Sequence, residues 1–436
     1  MNAQALSERI EKRAAHIVVI GQGYVGLPLA MEFARSGFKV TGLDTSHEKV
    51  ADLNRGCSPI DDVADADLKG MRDAGRYAAT TDFEVLSRAD VAIICVPTPL
   101  RKTKDPDISY VMAAASEVSQ RLHPGQLVVL ESTTYPGTTE EILLPMYSGN
   151  GGEAGVDFFL AFSPERIDPA NPLFKVRDIP KVVGGVTREC SRIAALLYSK
   201  IVPKVLEVSS PRVAEMAKLY ENVFRNVNIA LANELALMCR RLGVNTREVI
   251  DAAATKPFGF MPFHPGPGVG GHCIGIDSAY LAWKMRLNGY DARFIHLAEE
   301  INQSMPARVV QMITDALNQR QRSINGAKVL ALGVAYKPGV GDVRESPALE
   351  VIDQLRQKGA DVSYADPHVP TVAFNGTRLT AVAADDERIR SSDCVLILTD
   401  HREFDYRHIA DAASLVVDTR NATWGIHETK AEVIRL

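Results

Sequence analysis

The sequence predicts an α/β fold in which two Rossmann-like doubly wound domains are joined by a long central helix. Three observations carry this prediction. Residues 16–46 read HIVVIGQGYVGLPLAMEFARSGFKVTGLDTS: a short apolar strand, a glycine turn, an apolar-periodic helix and a second strand. From residue 328 a second series of strand patterns follows, KVLALGV, ADVSYADP, CVLILTD and SLVVDTR. Between the two series, RVAEMAKLYENVFRNVNIALANELALMCRRLGV runs without a helix breaker until its glycine. The expected domains are residues 1–209 for a dinucleotide, 210–325 as a helical centre and 326–436 for a second nucleotide-sized ligand.

In the first domain Gly21-x-Gly23-x-x-Gly26 lets the backbone turn tightly and approach a pyrophosphate, which then rests on the N–H groups opening the helix. Asp44 ends the second strand, where a carboxylate accepts hydrogen bonds from the adenosine ribose and repels a 2′-phosphate, so NAD is favoured over NADP. A bare glycine fingerprint is weak, because any tight strand-to-helix turn uses the same residues. The surrounding strand, helix, strand and acid make it specific. Further strands at 90–99, 126–134, 158–165 and 181–185 extend a parallel sheet. Ligands of such sheets lie beyond the strands' carboxyl ends, where Thr98, Thr133 and Glu165 fall. Strand-end capping is the plainer role for the two threonines. Residues 100–109 read as a solvated charged loop and 148–155 as a turn.

The central helix has Ser210 as N-cap, Pro211 at its first position and Gly243 as its stop. At about 1.5 Å per residue it spans roughly 48 Å, more than one small domain needs, and its surplus apolar surface predicts a contact between copies, a homodimer or higher oligomer. Lys218 and Asn222 share one face at i, i+4; for that pair alone, a solvated face is the bland alternative. In the second half, LGVAYKPGVGDVRES lacks the glycine fingerprint, so a mononucleotide-sized ligand fits better than a second dinucleotide. Lys337 and Arg344, with the loop between them, are candidate phosphate donors.

Composition narrows the partners. With 46% hydrophobic and 24% charged residues and a net charge of −5, there is no polybasic field to hold nucleic acid or an anionic membrane. The first sixteen residues have no apolar run of signal-peptide type, and no apolar run approaches the roughly 18 residues of a membrane span. Six cysteines are scattered without metal-ligand spacing, which suits reduced thiols in a cytoplasmic protein without a structural metal.

One stretch stands apart. Residues 264–277, HPGPGVGGHCIGID, contain five glycines and two prolines in fourteen positions, which predicts a shaped loop rather than a helix or strand. It presents Cys273 beside His272, with Asp277 four residues on. A lone cysteine is most often a small buried hydrophobe, the role expected of Cys95, Cys239 and Cys394.

The motifs GQGYVGLPLA, CVPTP, STTYPGT, FSPER, EMAKLYENVFRNVNIALANE, PGPGVGGHCIGID and YKPGVGDVRESPAL, in this order over residues 16–425, resemble the nucleotide-sugar 6-dehydrogenases, the UDP-glucose/UDP-N-acetylhexosamine dehydrogenase family. SPERIDP and PGPGVGGHCI look more like the N-acetylhexosamine branch. The resemblance implies Cys273 as nucleophile, surrounded by Lys218, Asn222, Asp277, Glu165 and Thr133. It implies NAD contacts at Gly21, Gly23, Tyr24, Val25, Gly26, Asp44, Lys49, Thr98, Thr133 and Arg344. UDP-sugar contacts are implied at Phe162, Glu165, Arg166, Lys218, Asn222, Phe263, Gly268, His272, Tyr336 and Lys337. Two departures stand out: Pro169 occupies the place of a second Glu in UDP-glucose relatives, and Gly275 and Ser278 stand where N-acetylhexosamine relatives usually have Pro.

The implied chemistry is oxidation of a sugar C6 alcohol to the acid with two NAD. Asp277 is the nearest candidate base for the first oxidation, and Cys273 forms the thiohemiacetal and thioester. Lys218 and Asn222 are candidate oxyanion donors, and Lys218 would also lower the thiol pKa. Glu165 activates the hydrolytic water, and Thr133 orients either that water or the Glu165 carboxylate. Gly270 and Gly271 are expected to clear space for the sugar, while His272 is a loop-shaping or substrate-contact residue before it is a base. UDP-N-acetylglucosamine is the first expected substrate, for surface polysaccharide or lipopolysaccharide synthesis, with the mannosamine and galactosamine epimers and UDP-glucose as alternatives. A two-electron dehydrogenase of the hydroxy-acid type and a non-catalytic sugar-nucleotide sensor are the rival classes.

Overall fold

The computed structural model describes residues 2–60, 62–101, 103–149, 151–166, 174 and 176–436, and of His272 and Cys273 the backbone alone. The chain divides into two compact units, residues 1–221 with 279–289, and residues 222–278 with 290–436.

The first unit contains α1 (Ala3–Glu11), β1 (His16–Ile20), α2 (Gly26–Arg35), β2 (Lys39–Leu43), α3 (His47–Arg55), α4 (Asp65–Asp73), β3 (Tyr77–Thr80), β4 (Val91–Ile94), α5 (Ser109–Arg121), β5 (Leu127–Leu130), α6 (Leu144–Ser148), β6 (Phe159–Phe162), β7 (Lys181–Gly185), α7 (Arg188–Tyr198) and β8 (Val205–Glu207). The strands form one sheet in the order β3-β2-β1-β4-β5-β6-β7-β8. Both faces are covered, which is why its strands read as continuous apolar runs. In β1, Ile17 and Val19 enter one core cluster and Val18 and Ile20 the other.

The sheet departs from the expected parallel arrangement at one edge. β7 pairs antiparallel with β6 through Ala161↔Gly185 and Phe162↔Gly184, and β8 follows β7 in parallel. A parallel return needs a crossover, usually a helix. The described part of the β6–β7 connection carries only a turn of 3₁₀ helix, Val176–Asp178. β3 and β8, four and three residues long, escaped the strand patterns.

The middle of the chain supplies α8 (Pro211–Leu242), α9 (Thr246–Ala254), α10 (His272–Leu287) and α11 (Arg293–Gln319). α8 begins and ends where its caps predict: Ser210 Oγ accepts from Val213 N at 3.4 Å, and Gly243 takes φ +67°. The predicted loop over 264–277 is shorter than expected. It ends at Gly271, and α10 opens with His272, so Cys273, Gly275 and Asp277 are helical. Four of the five glycines lie before the helix; the fifth, Gly275, costs a helix interior only about 1 kcal/mol.

The second unit continues with β9 (Lys328–Leu332), α12 (Pro347–Gln357), β10 (Asp361–Ala365), the hairpin β11 (Thr371–Phe374) and β12 (Thr377–Thr380), α13 (Asp386–Ser391), β13 (Cys394–Ile397), α14 (Tyr406–Ala412), β14 (Leu415–Asp418) and β15 (Glu432–Arg435). Its main sheet, β10-β9-β13-β14-β15, is wholly parallel. The repeat runs deeper than the sequence pattern. Gly333 follows β9 with φ +81° and donates to the Ala365 carbonyl, as Gly21 follows β1 with φ +91° and donates to Leu43. Asp366 follows β10 and accepts from Val334 and Ala335, as Asp44 follows β2 and accepts from Gln22. Among the described residues no helix is long and apolar enough to cross a membrane.

Candidate active site

In the first unit the three fingerprint glycines are required for three different reasons. Gly21 has positive φ, and a Cβ there would stand 2.5 Å from the Cys95 carbonyl oxygen at the end of β4. A Cβ on Gly26 would strike the Gly21 carbonyl, so this glycine lets α2 pack on the turn. A Cβ on Gly23 would meet nothing within 4 Å. Only that position needs an outside reason for glycine, and close approach of a pyrophosphate to the backbone is such a reason. Val25 and Gly26 open α2, whose first N–H groups offer an anion site, and Tyr24 beside them is exposed.

Asp44 is buried at the end of β2. Its Oδ2 accepts from Gln22 N at 2.9 Å and Lys49 Nζ at 2.8 Å, and its Oδ1 from Ser46 N at 3.0 Å. Burial pushes the carboxyl up, but the Lys49 hydrogen bond and the two amides outweigh it and hold the group below its usual range. A carboxylate offers roughly four acceptor sites, so room for a ribose hydroxyl remains. Lys49 acts by orienting this acid. The turn therefore fits the adenosine diphosphate part of NAD.

Thr98 is buried, and Thr133 and Glu165 are half-buried, all beyond the ends of β4, β5 and β6. Glu165 Oε1 accepts from Arg166 N at 2.7 Å, and its Oε2 lies 3.3 Å from Lys181 Nζ. The Arg166 guanidinium forks onto Glu221 at 2.7 and 3.2 Å. Phe162 is fully buried in the apolar core, so any substrate contact there falls to its backbone. Pro169 lies outside the described residues.

In the second unit Asn222 Nδ2 donates to Asp277 Oδ2 at 2.5 Å, with Asn222 5% and Asp277 1% exposed. Position 273 lies one helical turn before Asp277, in the first turn of α10. A series of amide hydrogen bonds continues from there. Asn226 donates to Ser278 Oγ at 3.2 Å, Asn302 to Asn226 Oδ1 at 2.8 Å, and Asn233 to Asn302 Oδ1 at 2.9 Å; Asn233 Oδ1 accepts from Gly266 N at 2.9 Å. The start of the glycine loop and the first turns of α10 are thus tied to α8 and α11.

The loop glycines serve packing. A Cβ on Gly270 would stand 2.8 Å from Tyr336 Cβ and 2.9 Å from Pro347 Cδ; one on Gly271 would meet the Tyr336 ring at 2.8 Å; one on Gly268 would lie 3.0 Å from Pro347 Cβ. This corrects the expectation that Gly270 and Gly271 clear space for a sugar: what occupies that space is the segment from Tyr336 to Pro347, joined to the loop by Gly271 N donating to the Arg344 carbonyl. The Arg344 guanidinium itself pairs with Asp342 at 2.7 Å. Lys337 Nζ lies 5.7 Å from the Tyr336 ring centre, and Phe263 packs edge-on to Phe224 at 5.8 Å. The side chains of His272 and Cys273 lie outside the described residues.

The structure thus brings Asn222 together with Asp277 and Asp44 with Lys49. Sequence reasoning missed Glu131 and Lys181 beside Glu165, and Asn226, Asn233 and Asn302 behind the loop. The i, i+4, i+11 spacing of Asn222, Asn226 and Asn233 marks one polar stripe on an otherwise apolar helix, and was the available signal.

Three family models match the chain in order: the UDP-glucose/GDP-mannose dehydrogenase family's NAD binding domain over residues 15–202, its central domain over 212–304 and its UDP binding domain over 330–424. A UDP-N-acetyl-D-glucosamine 6-dehydrogenase of Pseudomonas aeruginosa is 36% identical over 89% of this chain and 91% of its own length. A UDP-N-acetyl-D-mannosamine dehydrogenase of Pyrococcus horikoshii is 37% identical over 89% of this chain and 90% of its own. A solved structure of the UDP-D-ManNAc dehydrogenase from Pyrococcus horikoshii superposes with a TM-score of 0.86 at 33% identity, covering 96% of this chain and 98% of the other.

Proposed function

From the premise that the chain belongs to the UDP-glucose/GDP-mannose dehydrogenase family and is an NAD-dependent oxidoreductase, we propose that it oxidises the C6 hydroxyl of a UDP-N-acetylhexosamine, UDP-N-acetylglucosamine first, to the uronic acid. The observation that carries this reading is the buried Asn222–Asp277 pair one helical turn from position 273. Relatives named for glucosamine and for mannosamine substrates match almost equally, so the sugar rests on the order of preference given above.

NAD, when bound, accepts a hydride at each of the two oxidations. Asp277 takes the hydroxyl proton in the first, with Asn222 holding the carboxylate. An aldehyde has no good hydride to give until a nucleophile adds to it. Cys273 is that nucleophile: its sulfur bonds to C6 as thiohemiacetal, and after the second oxidation as thioester. First-turn helix positions favour negative charge, which suits a thiolate nucleophile at 273. Lys218 and Asn222 donate to the C6 oxygen as it gains charge, a contribution of about 3 kcal/mol per donor in comparable sites. Glu165, with Thr133, activates the water that releases the acid and frees the thiol. Residues 1–209 hold NAD, 210–325 carry the reacting groups, and 326–436 hold the UDP moiety with Lys337. Exposed Val213, Met216, Tyr220, Leu231 and Met238 on α8 are assigned to a contact between copies.

The test is the ratio of NADH formed to UDP-sugar consumed across a panel of UDP-hexoses. Two per sugar is expected, with UDP-N-acetylglucosamine fastest; one per sugar would place the chain with two-electron dehydrogenases. Cys273→Ser should strongly impair turnover, and full activity in that variant contradicts the thioester route.

A further inference from the structure

The reaction scheme uses one member of a buried charge cluster, Glu165, and leaves two others without a role. Lys181, the first residue of β7, is 5% exposed in its side chain and is ion-paired with Glu131, which is fully buried at the end of β5. The same ammonium donates to the Pro164 carbonyl at 3.2 Å and to Glu165 Oε2 at 3.3 Å. Since Arg166 N donates to the other oxygen, both Glu165 oxygens are held, and the carboxylate plane is set. Of the three side chains Glu165 reaches the surface furthest, at 11% exposed.

The other charged and titratable groups placed around the cluster come from each neighbouring element. The Cys95 thiol, after β4, lies 3.8 Å from Glu131 Oε2; the Tyr198 ring of α7 has its centre 5.3 Å from the Lys181 ammonium; the Arg166 guanidinium is turned to Glu221. A desolvated ammonium persists only where partner charges offset the loss of water. Burial disfavours the charged form of Lys181, yet Glu131 and Glu165 together hold it protonated, while burial pushes the Glu131 carboxyl up.

We propose that Lys181, anchored from behind by Glu131, is a positioning residue for Glu165: its ammonium orients that carboxylate and favours the ionised, proton-accepting form during release of the product acid. The proposal rests on the reading of Glu165 as the group that activates water. In that step the water oxygen bonds to the thioester carbon, the proton passes to Glu165, and the thiolate leaves. Lys181 stays protonated and Glu131 ionised throughout, so neither exchanges a proton in the step.

The test is the pH profile of steady-state turnover at saturating NAD and UDP-sugar. Removing the cation in Lys181→Met should lower kcat with little change in KM and move the acid limb up by about one pH unit or more. Glu131→Gln, which leaves the ammonium to Glu165 alone, should move the limb down, and Lys181→Arg should restore it in part. If Lys181→Met does not fold, Lys181→Met/Glu131→Gln removes both members of the buried pair and should still give an upward, smaller shift. An unmoved limb in these folded variants, or shifts in the same direction for the two single changes, overturns the proposal. Glu165→Gln separates the two ideas. Wild-type turnover there removes the reading of Glu165; a slow Glu165→Gln enzyme without an acid limb, beside Lys181 variants with a wild-type limb, removes only the role of Lys181.

Discussion

The Asn222 amide donates to the Asp277 carboxylate at 2.5 Å, from α8 to α10, and neither group is open to solvent. Asn222→Ala leaves a buried acid short of a donor, so the variant should lose about 1–3 kcal/mol of stability and its turnover about 100-fold. Denaturant unfolding and kcat are the measurements; an unchanged unfolding midpoint would show that the bond contributes nothing net.

Asn302 stands in the middle of the amide series, donating to Asn226 and accepting from Asn233. Asn302→Leu removes both partners at once and strands two buried amides. A loss of about 1–3 kcal/mol is expected, larger than for the exposed helical Asn318 replaced in the same way, and thermal unfolding of the two variants side by side checks it.

The fingerprint glycines should separate by readout. Gly26→Ala forces a collision with the Gly21 carbonyl and should unfold at a lower temperature whether or not NAD is present. Gly23→Ala meets open space, so its melting temperature without NAD should match the wild type, while its stabilisation by added NAD shrinks. Equal stability losses in both would refute the division of roles.

Gly270→Ala places a methyl 2.8 Å from Tyr336 Cβ and 2.9 Å from Pro347 Cδ, at a residue whose φ is not positive. We expect about 1–3 kcal/mol of destabilisation. Were the glycine there for sugar clearance, stability would hold and only KM would rise, so measuring both decides the matter.

Asp44 gives a pH dependence of known sign. Its carboxyl is held below the usual range in the folded chain, since the Lys49 hydrogen bond and the amides of Gln22 and Ser46 outweigh burial. Its contribution is therefore present above about pH 4 and lost as pH falls through the folded value. The stability difference between wild type and Asp44→Asn should be flat above about pH 4 and narrow below it. A difference independent of pH down to about pH 3 would refute the assignment.

Much of the fold was legible because its signals are local. The Gly21-x-Gly23-x-x-Gly26 turn, the Ser210-Pro211 start and Gly243 stop of α8, and the strand runs of both sheets depend on residues within a few positions of one another. The glycine loop was legible as a loop, yet its end was misplaced, since Gly275 weakens a helix without forbidding one.

What the sequence by itself determined is the dinucleotide turn, the acid that follows it, the long helix and the placing of Cys273 just after the Gly270-Gly271 pair. Tertiary structure decided the direction of β7 and everything that hangs on it. A short apolar run reads the same for a strand running either way, and only the reversed strand brings its first residue, Lys181, to the carboxyl ends of β5 and β6, beside Glu131 and Glu165. Glu131 and Lys181 are 50 residues apart, and Asn226 and Asn302 76. Contacts over such distances follow from how the elements pack, not from spacing along the chain.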